Sequence, residues 1–248
     1  MMKFKYFDAV ETILHDVCID EADHMGAAVN ELVRCIKSHG AIYIFGASHA
    51  GILSEEMFYR AGGLMLINPI FGNEISVQTS PITQTSDMER LDGYGRILAK
   101  HHADFKGGDV LIVHSVSGRN PVTLELVQSA KDAGSTVIAL TNVRYSQTVA
   151  SRHPSIQRLF EIADIVIDNH GDVGDAAIGI KGMDQKVGPT STVIGAAILN
   201  AIVVETVQRL VDSGMEDPPV FYSANIDGGD ELNRRLFQAY RDSIRYSF

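Results

Sequence analysis

Five short apolar runs, separated by stretches with helical spacing, constrain this fold more than any other feature. The runs begin near residues 41, 64, 109, 136 and 164. They are continuous rather than alternating, which is typical of strands buried on both faces of a parallel sheet. Between them apolar residues recur at helical intervals, for example Val122, Leu126 and Ala130. This alternation predicts an α/β domain, a three-layer sandwich in which helices flank a five-stranded parallel sheet.

The chain of 248 residues is long enough for one such domain with additions at both ends. Residues 1–38 carry two apolar stripes at helical spacing and are expected to form an N-terminal helical hairpin. Residues 39–215 contain the alternating strands and helices. Residues 216–248 are expected to be a C-terminal extension that packs on this domain or on a neighbouring subunit.

Composition excludes several classes of function. The formal net charge is −10 and no basic run is present, which argues against binding nucleic acid or an anionic membrane. No uninterrupted apolar run approaches the roughly 18 residues of a membrane span. Cys18 and Cys35 are the only cysteines, so a disulfide framework is not expected and a cytoplasmic location is. Dinucleotide and nucleotide loop motifs are missing from the sequence, and no cofactor is predicted.

Residues 109–123 predict the functional site. A buried strand over residues 110–113 runs into a turn containing Ser115, Ser117 and Gly118, and Asn120 with Pro121 then opens a helix. This layout directs backbone N–H groups, hydroxyls and a helix dipole at one point, as a phosphate site requires. The alternative is an ordinary tight strand-to-helix turn.

Three more segments have polar residues where the same sheet edge is expected. Ser48 and His49 follow the first strand and open a helix that is predicted to run to about residue 61. The Ser- and Pro-rich residues 68–86 form a long loop of the kind that covers a site, and one helix is predicted over residues 87–102. Residues 141–163 are predicted to be mixed loop and helix, with Pro154 as a breaker. Thr190, Ser191 and Thr192 precede a strong helix, where hydroxyls cap the helix or face a ligand.

These segments together resemble the SIS (sugar isomerase) domain family of phosphosugar-binding α/β proteins, and most closely its uncharacterised bacterial phosphosugar-binding subfamily. The resemblance covers nearly the whole chain, and residues 117–121 also resemble a loop of N-acetylmuramic acid 6-phosphate etherases. The matching motifs are residues 46–49, 55–63, 115–121, 189–192 and 223–230.

The resemblance implies that Ser115, Ser117 and Asn120 contact a sugar phosphate, together with the amides of Gly118 and Arg119. The chain departs from the family at two places. Asn120 replaces a common Thr or Ser, and an amide side chain still donates to a phosphate oxygen. Ser48 and Ala50 stand at the second Gly and the Ser of the Gly-x-Gly-x-Ser pattern, so Ser48 is expected to supply the missing hydroxyl.

Aldose–ketose isomerisation needs a base between adjacent sugar carbons, and a carboxylate in a partly dry pocket suits it. The resemblance implies a catalytic Glu near Glu55 and Glu56. Neighbouring helical residues point about 100° apart, so at most one of the two faces the pocket, and Glu56 is preferred. The competing interpretation of Glu56 is an ordinary helix ion pair with Arg60. His49 is expected to open the sugar ring or to bind phosphate.

A divalent metal site built from His170, Asp172 and Asp175 is the weaker interpretation of residues 168–175, where a capped loop is favoured. No metal is predicted.

The sequence therefore predicts a sugar-phosphate isomerase in carbohydrate derivative metabolism. Two alternatives stay open, a non-catalytic phosphosugar sensor and an etherase-type lyase acting on an amino sugar phosphate. The apolar N-terminal helices and the helix near residues 193–204 predict a homodimer or higher homo-oligomer.

Overall fold

The computed structural model describes residues 4–247 and confirms the α/β class with a five-stranded, fully parallel sheet. The strand order is β2-β1-β3-β4-β5. The strands are β1 (Ile42–Gly46), β2 (Ile67–Pro69), β3 (Val110–His114), β4 (Thr136–Thr141) and β5 (Ile165–Asp168). Residues 1–3 of the predicted N-terminal hairpin and residue 248 lie outside the described part of the chain.

Helices cover both faces of the sheet. The hairpin predicted at the N-terminus is α1 and α2, which meet at Glu21. The helices are α1 (Lys5–Asp20), α2 (Ala22–Lys37), α3 (Ile52–Met57), α4 (Gln84–Arg90), α5 (Tyr94–His102), α6 (Pro121–Asp132), α7 (Val143–Thr148), α8 (Leu159–Ile162), α9 (Ser191–Asp212) and α10 (Gly229–Ala239).

Side chains of the central strands alternate between two cores. In β1, Ile42 and Ile44 face the core shared with α2 and α9, whereas Tyr43 and Phe45 face the core shared with α5 and α6. Strands β3 and β4 alternate in register with β1. Because both faces are buried, the strands carry the continuous apolar runs seen in the sequence.

The longest helix, α9, is long and apolar enough by length and composition to cross a membrane. It packs against α1, α2 and α3, and Ile194, Ile198 and Leu199 are buried in the core. This is the environment of a core helix of a folded domain, where a nearly all-apolar surface is expected.

The helix predicted from the first loop to about residue 61 is shorter than expected. The loop is a 3₁₀ turn, Ser48–Gly51, and α3 ends at Met57. Phe58 turns extended and stacks edge-on against Phe71 and Tyr246, with ring centroids 5.9 and 4.9 Å away. Aromatic packing against distant segments thus outweighs helix propensity here.

The single helix predicted over residues 87–102 is two helices, α4 and α5. They are separated at residues 91–93, where Gly93 has φ of +91°. The second strand also starts later than predicted, at Ile67 instead of residue 64, because Leu64 pairs antiparallel with Val220.

Two further segments complete the fold. Residues 169–189 contain an antiparallel hairpin, β6 (Ala176–Ile178) with β7 (Val187–Pro189). The C-terminal extension closes on the β2 edge of the sheet, where the Asn68 side chain donates to the Ser243 carbonyl (3.0 Å) and accepts from the Arg245 amide (2.6 Å).

Candidate functional site

The carboxyl edge of the sheet between β1 and β3 is the candidate position for a ligand. The chain leaves β1 outward to β2 and returns through α4 and α5 to β3, so the strand order reverses at this point. Open α/β sheets bind ligands at such a switch point. Gly46 and His114 are register partners at the ends of the two strands, so the loops that follow them lie side by side.

The loop after β3, residues 115–120, leaves several hydrogen-bond donors without a partner. Within the described residues, the backbone amides of residues 116–120 donate no hydrogen bond, and neither the Ser115 nor the Ser117 hydroxyl is used. The carbonyls of the same loop are all occupied: they accept from Thr141 Oγ1, the Asn142 amide, Ser146 Oγ, and the amides of Leu159, Arg152 and Leu124. The loop is therefore held through its acceptors and leaves its donors free.

Gly118 is required for this conformation. Its φ is +58°, and a Cβ there would lie 3.0 Å from the Leu159 Cβ and 3.2 Å from the Ser146 Oγ. A side chain would therefore be strained by the backbone and would push α8 away. The glycine turns the chain between Ser117 and Arg119.

The two loops are joined by His114. Its Nδ1 lies 3.1 Å from the Ala50 carbonyl oxygen, which only accepts, so Nδ1 carries the proton. The ring is 1% exposed, burial lowers the pKa of His114, and Nε2 has no hydrogen-bond partner in the described structure. His114 is therefore a neutral positioning residue that holds the first loop against the second.

A polar network closes the α6 end of the loop. Asn120 is the N-cap residue of α6, as predicted, but its side chain makes no cap hydrogen bond. Instead Asn120 Nδ2 donates to Glu89 Oε2 (2.6 Å), and Asn120 Oδ1 accepts from Arg152 (2.9 Å). Burial raises the pKa of Glu89, and the nearby charges of Arg90, Arg152 and His49 only partly offset this. The His49 side chain is exposed in the loop after β1.

Sequence reasoning missed Glu89 and Arg152. The sequence predicts Glu89 within a continuous helix over residues 87–102 and Arg152 within a segment of mixed loop and helix before Pro154. Neither residue is predicted to belong to a site. The only available signal was the position of Glu89 directly after the long loop predicted to cover the site.

A cavity of about 270 Å³ adjoins the first loop. Ser48 of the first loop and Glu55 of α3 line it, and residues from the range 70–78 of the long loop form its other wall. Glu56, preferred from the sequence, is not part of this lining. Its carboxylate pairs with Arg60 and accepts from Asn200 Nδ2, which is the ion pair considered as the alternative.

The hydroxyl residues before α9 differ in what they contact. Ser191 is committed to Asp175, whose carboxylate accepts from the Ser191 amide (2.9 Å) and from Ser191 Oγ (2.5 Å). Thr190 is 1% exposed, and its hydroxyl has no partner in the described structure. Thr192 is half-buried in the first turn of α9. Asp175 therefore caps α9 and neutralises its N-terminus.

The residues considered for a metal site are occupied separately. His170 Nε2 contacts Glu21 Oε1 (3.0 Å), Asp172 pairs with Lys186 (2.7 Å), and Asp175 caps α9. Among residues 4–247, no group of three or more His, Cys, Asp or Glu side chains is placed to hold a metal ion.

Comparison with known proteins identifies relatives of the whole chain. A model of the SIS domain family matches residues 5–142. The UPF0309 protein of Shouchella clausii is 48% identical over 98% of this chain and 98% of its own, and that of Oceanobacillus iheyensis is 45% identical with the same coverage. The structure of a phosphoheptose isomerase from Francisella tularensis superposes with a TM-score of 0.57, covering 82% of this chain and 95% of that one, at 17% identity. At that identity the likeness establishes the fold.

Proposed function

The chain belongs to the SIS domain family, and we propose that it binds a phosphorylated sugar between β1 and β3 and interconverts its aldose and ketose forms. One observation carries the proposal: the amides of residues 116–120 and the hydroxyls of Ser115 and Ser117 donate to nothing in the described chain. Free amides at the start of a helix, beside free hydroxyls, are the donors that a phosphate accepts from.

The position of the cavity supports binding of the rest of the sugar beside this phosphate. Ser48 and Glu55 line the cavity, and His114 ties the loop containing Ser48 to the strand that precedes the phosphate loop. A sugar whose phosphate sits on residues 115–120 therefore extends its carbons toward the loop after β1. The superposed Francisella structure is that of a phosphoheptose isomerase, and binding of a phosphorylated sugar at this edge of the sheet agrees with such an activity.

Glu89 is our candidate for the base. The base removes a proton from the carbon beside the carbonyl while the carbonyl oxygen gains a proton, which gives an enediol. The base then returns its proton to the former carbonyl carbon as the neighbouring hydroxyl loses its proton and becomes the new carbonyl. A carboxylate whose pKa is raised by burial accepts and returns such a proton near neutral pH. Glu89 hydrogen-bonds Asn120 next to the free amides, and the charge of His49 acts on it.

Glu56 remains the base expected from the sequence, and its ion pair with Arg60 would have to open before it reached a substrate. Glu55 already lines the cavity. His49, exposed in the first loop, is placed to assist ring opening. The three carboxylates are therefore compared directly in the second test below.

The binding test is a thermal-shift screen against hexose, heptose, pentose and N-acetylated amino sugar phosphates, with each unphosphorylated parent and inorganic phosphate. We expect phosphorylated sugars alone to raise the melting temperature, since a ligand that binds the native state stabilises it by mass action. Ser117→Ala should reduce the shift. Ser213→Ala, which removes a hydroxyl at the far end of α9, should not. If no phosphate compound shifts the protein, the phosphate site is refuted.

The catalytic test uses the ligands found in that screen in deuterated water, with ¹H NMR at the carbon beside the carbonyl. We expect solvent deuterium to enter that position together with aldose–ketose interconversion. Glu89→Gln should lower turnover by about 10²–10⁴-fold while retaining the thermal shift. If Glu89→Gln stayed active while Glu55→Gln or Glu56→Gln no longer incorporated deuterium, the residue replaced in the inactive variant would be the base. Binding without exchange in the unmodified protein would instead identify a sensor.

A further inference from the structure

Three arginines converge beside the phosphate loop. The Arg152 guanidinium donates to Asn120 Oδ1 (2.9 Å), and Asn120 Nδ2 donates to Glu89, the neighbour of Arg90 in the chain. Burial, and then the charges of Arg119 and Arg90, lower the pKa of the Arg152 guanidinium. Arg119 belongs to the loop itself, Arg90 lies at the end of α4, and the Arg152 amide donates to the Arg119 carbonyl (2.9 Å). We call these three residues the arginine cluster.

No ion pair within the described residues neutralises the arginine cluster. None of the three guanidinium groups lies within 4.0 Å of a carboxylate there, and Arg119 Nε is buried with no hydrogen-bond partner. Glu89 is the acidic group whose charge acts on Arg152. It is also a carboxyl whose burial favours the neutral form.

Carboxylates are abundant in this protein, since the formal net charge is −10, yet none lies within 4.0 Å of the arginine cluster. Among the other arginines of the described chain, Arg209, Arg234, Arg241 and Arg245 also lack such a partner, whereas six have one. These pairs are Arg34–Glu31, Arg60–Glu56, Arg96–Glu125, Arg144–Asp172, Arg158–Glu161 and Arg235–Asp217. Crowding three cations costs free energy unless an anion joins them, so the cluster has the electrostatics of an anion subsite.

The phosphate loop does not need the cluster for its own ligand. Five free amides and the Ser115 and Ser117 hydroxyls are already available to one phosphate group in the proposed site. Asn120 lies between the amides of the loop and the guanidinium groups of the arginine cluster. Its backbone amide is one of the free donors of the loop, whereas its side chain hydrogen-bonds with Glu89 and Arg152. Guanidinium forks suit planar carboxylates and phosphates alike.

We propose that the arginine cluster binds a second anionic group of the substrate, so that the substrate class is a sugar phosphate with an additional carboxylate or phosphate. The inference rests on the proposed function, since it assumes that the first phosphate occupies residues 115–120.

The test is isothermal titration at two salt concentrations with four probes. Glucose 6-phosphate and fructose 6-phosphate carry one anionic group, 6-phosphogluconate adds a carboxylate, and fructose 1,6-bisphosphate adds a phosphate. We expect at least one doubly anionic probe to bind roughly tenfold or more tightly than either singly anionic probe, because charge-assisted hydrogen bonds are added. Its affinity should also fall more steeply with salt. Comparing the carboxylate with the second phosphate identifies the preferred group.

Arg90→Gln should remove most of that difference while leaving the affinity for singly anionic probes within about twofold. Arg209→Gln, which removes the same charge from the last turn of α9, should change neither affinity. Melting temperatures of the variants verify folding. If the substitution lowered the affinity for singly and doubly anionic probes equally, the arginine cluster would belong to the first phosphate site. That result would refute this inference and leave the proposed function standing. Failure of every probe to bind would refute the proposed function itself.

Discussion

At the scale of single residues, the ionised form of Glu89, which the proposed chemistry needs, lowers the stability of the folded protein. Its carboxyl is held in a partly dry network by Asn120, and burial raises its pKa. A raised pKa means that ionisation costs more free energy in the folded chain than in the unfolded one. The folded protein therefore carries a carboxylate that destabilises it at neutral pH, as is common for groups that act as bases.

This predicts the pH dependence of stability in Glu89→Gln. The stabilising contribution of protonated Glu89 is complete below the unfolded pKa, about 4.3, and is lost as the pH rises through the raised folded value. Glutamine never ionises, so the variant should gain in melting temperature over the unmodified protein across that window and keep the gain at neutral pH. Asp87→Asn, which removes an exposed carboxylate from the same helix, is the control. The prediction would be contradicted if the melting temperature of the variant, minus that of the unmodified protein, were lower at neutral pH than at pH 4.

The sequence predicts the position of the candidate phosphate loop better than it predicts the roles of the side chains around that loop. A strand followed by small hydroxyl residues and an Asn-Pro helix start identifies residues 110–121, because these local signals act within a few positions. The choice between Glu55 and Glu56 depends on where α3 sits. The network of Asn120 with Glu89 and Arg152 depends on partners 31 and 32 positions away. Local patterns carry no information on such contacts.

At the scale of elements, α5 is fixed to α6 by one buried carboxylate. Glu125 on α6 is 2% exposed and accepts from the Gly93 amide (2.7 Å), the Gly95 amide (3.0 Å) and Arg96 (2.5 Å). It thereby caps the first turn of α5 from outside the helix. The break between α4 and α5 is stabilised by this contact, which explains why helical periodicity alone predicted one continuous helix.

We predict that Glu125→Ala lowers the free energy of unfolding by about 2–4 kcal/mol, since it leaves buried amides without an acceptor. Hydrogen exchange of the amides of α5 should accelerate more than that of the central strands. Gln128→Ala, an exposed position on the same helix, should change stability by less than about 0.5 kcal/mol. Urea unfolding measures both, and equal stability of the two variants would refute the capping role.

At the scale of the whole molecule, the candidate site and an exposed apolar surface lie on different parts of the fold. The candidate site is at the carboxyl ends of β1 and β3, and the C-terminal extension closes the β2 edge through Asn68. Helices α1 and α9 contact each other on one face of the sheet and expose large apolar side chains. These are Phe4 just before α1, Phe7 and Ile19 on α1, and Val193, Val204 and Val211 on α9.

A single folded chain has no reason to expose so many large apolar residues on neighbouring elements unless another surface covers them. We therefore predict that the protein is a symmetric homodimer through α1 and α9. Phe7→Glu and Val204→Glu should each shift the mass measured by sedimentation from dimer toward monomer at micromolar concentration, because a buried unpaired charge opposes association. Ile156→Glu, at a residue that is 80% exposed and lies outside both helices, should leave the mass unchanged. A monomeric unmodified protein across the same concentrations would refute the dimer, and a dimer that survives both substitutions would place its interface elsewhere.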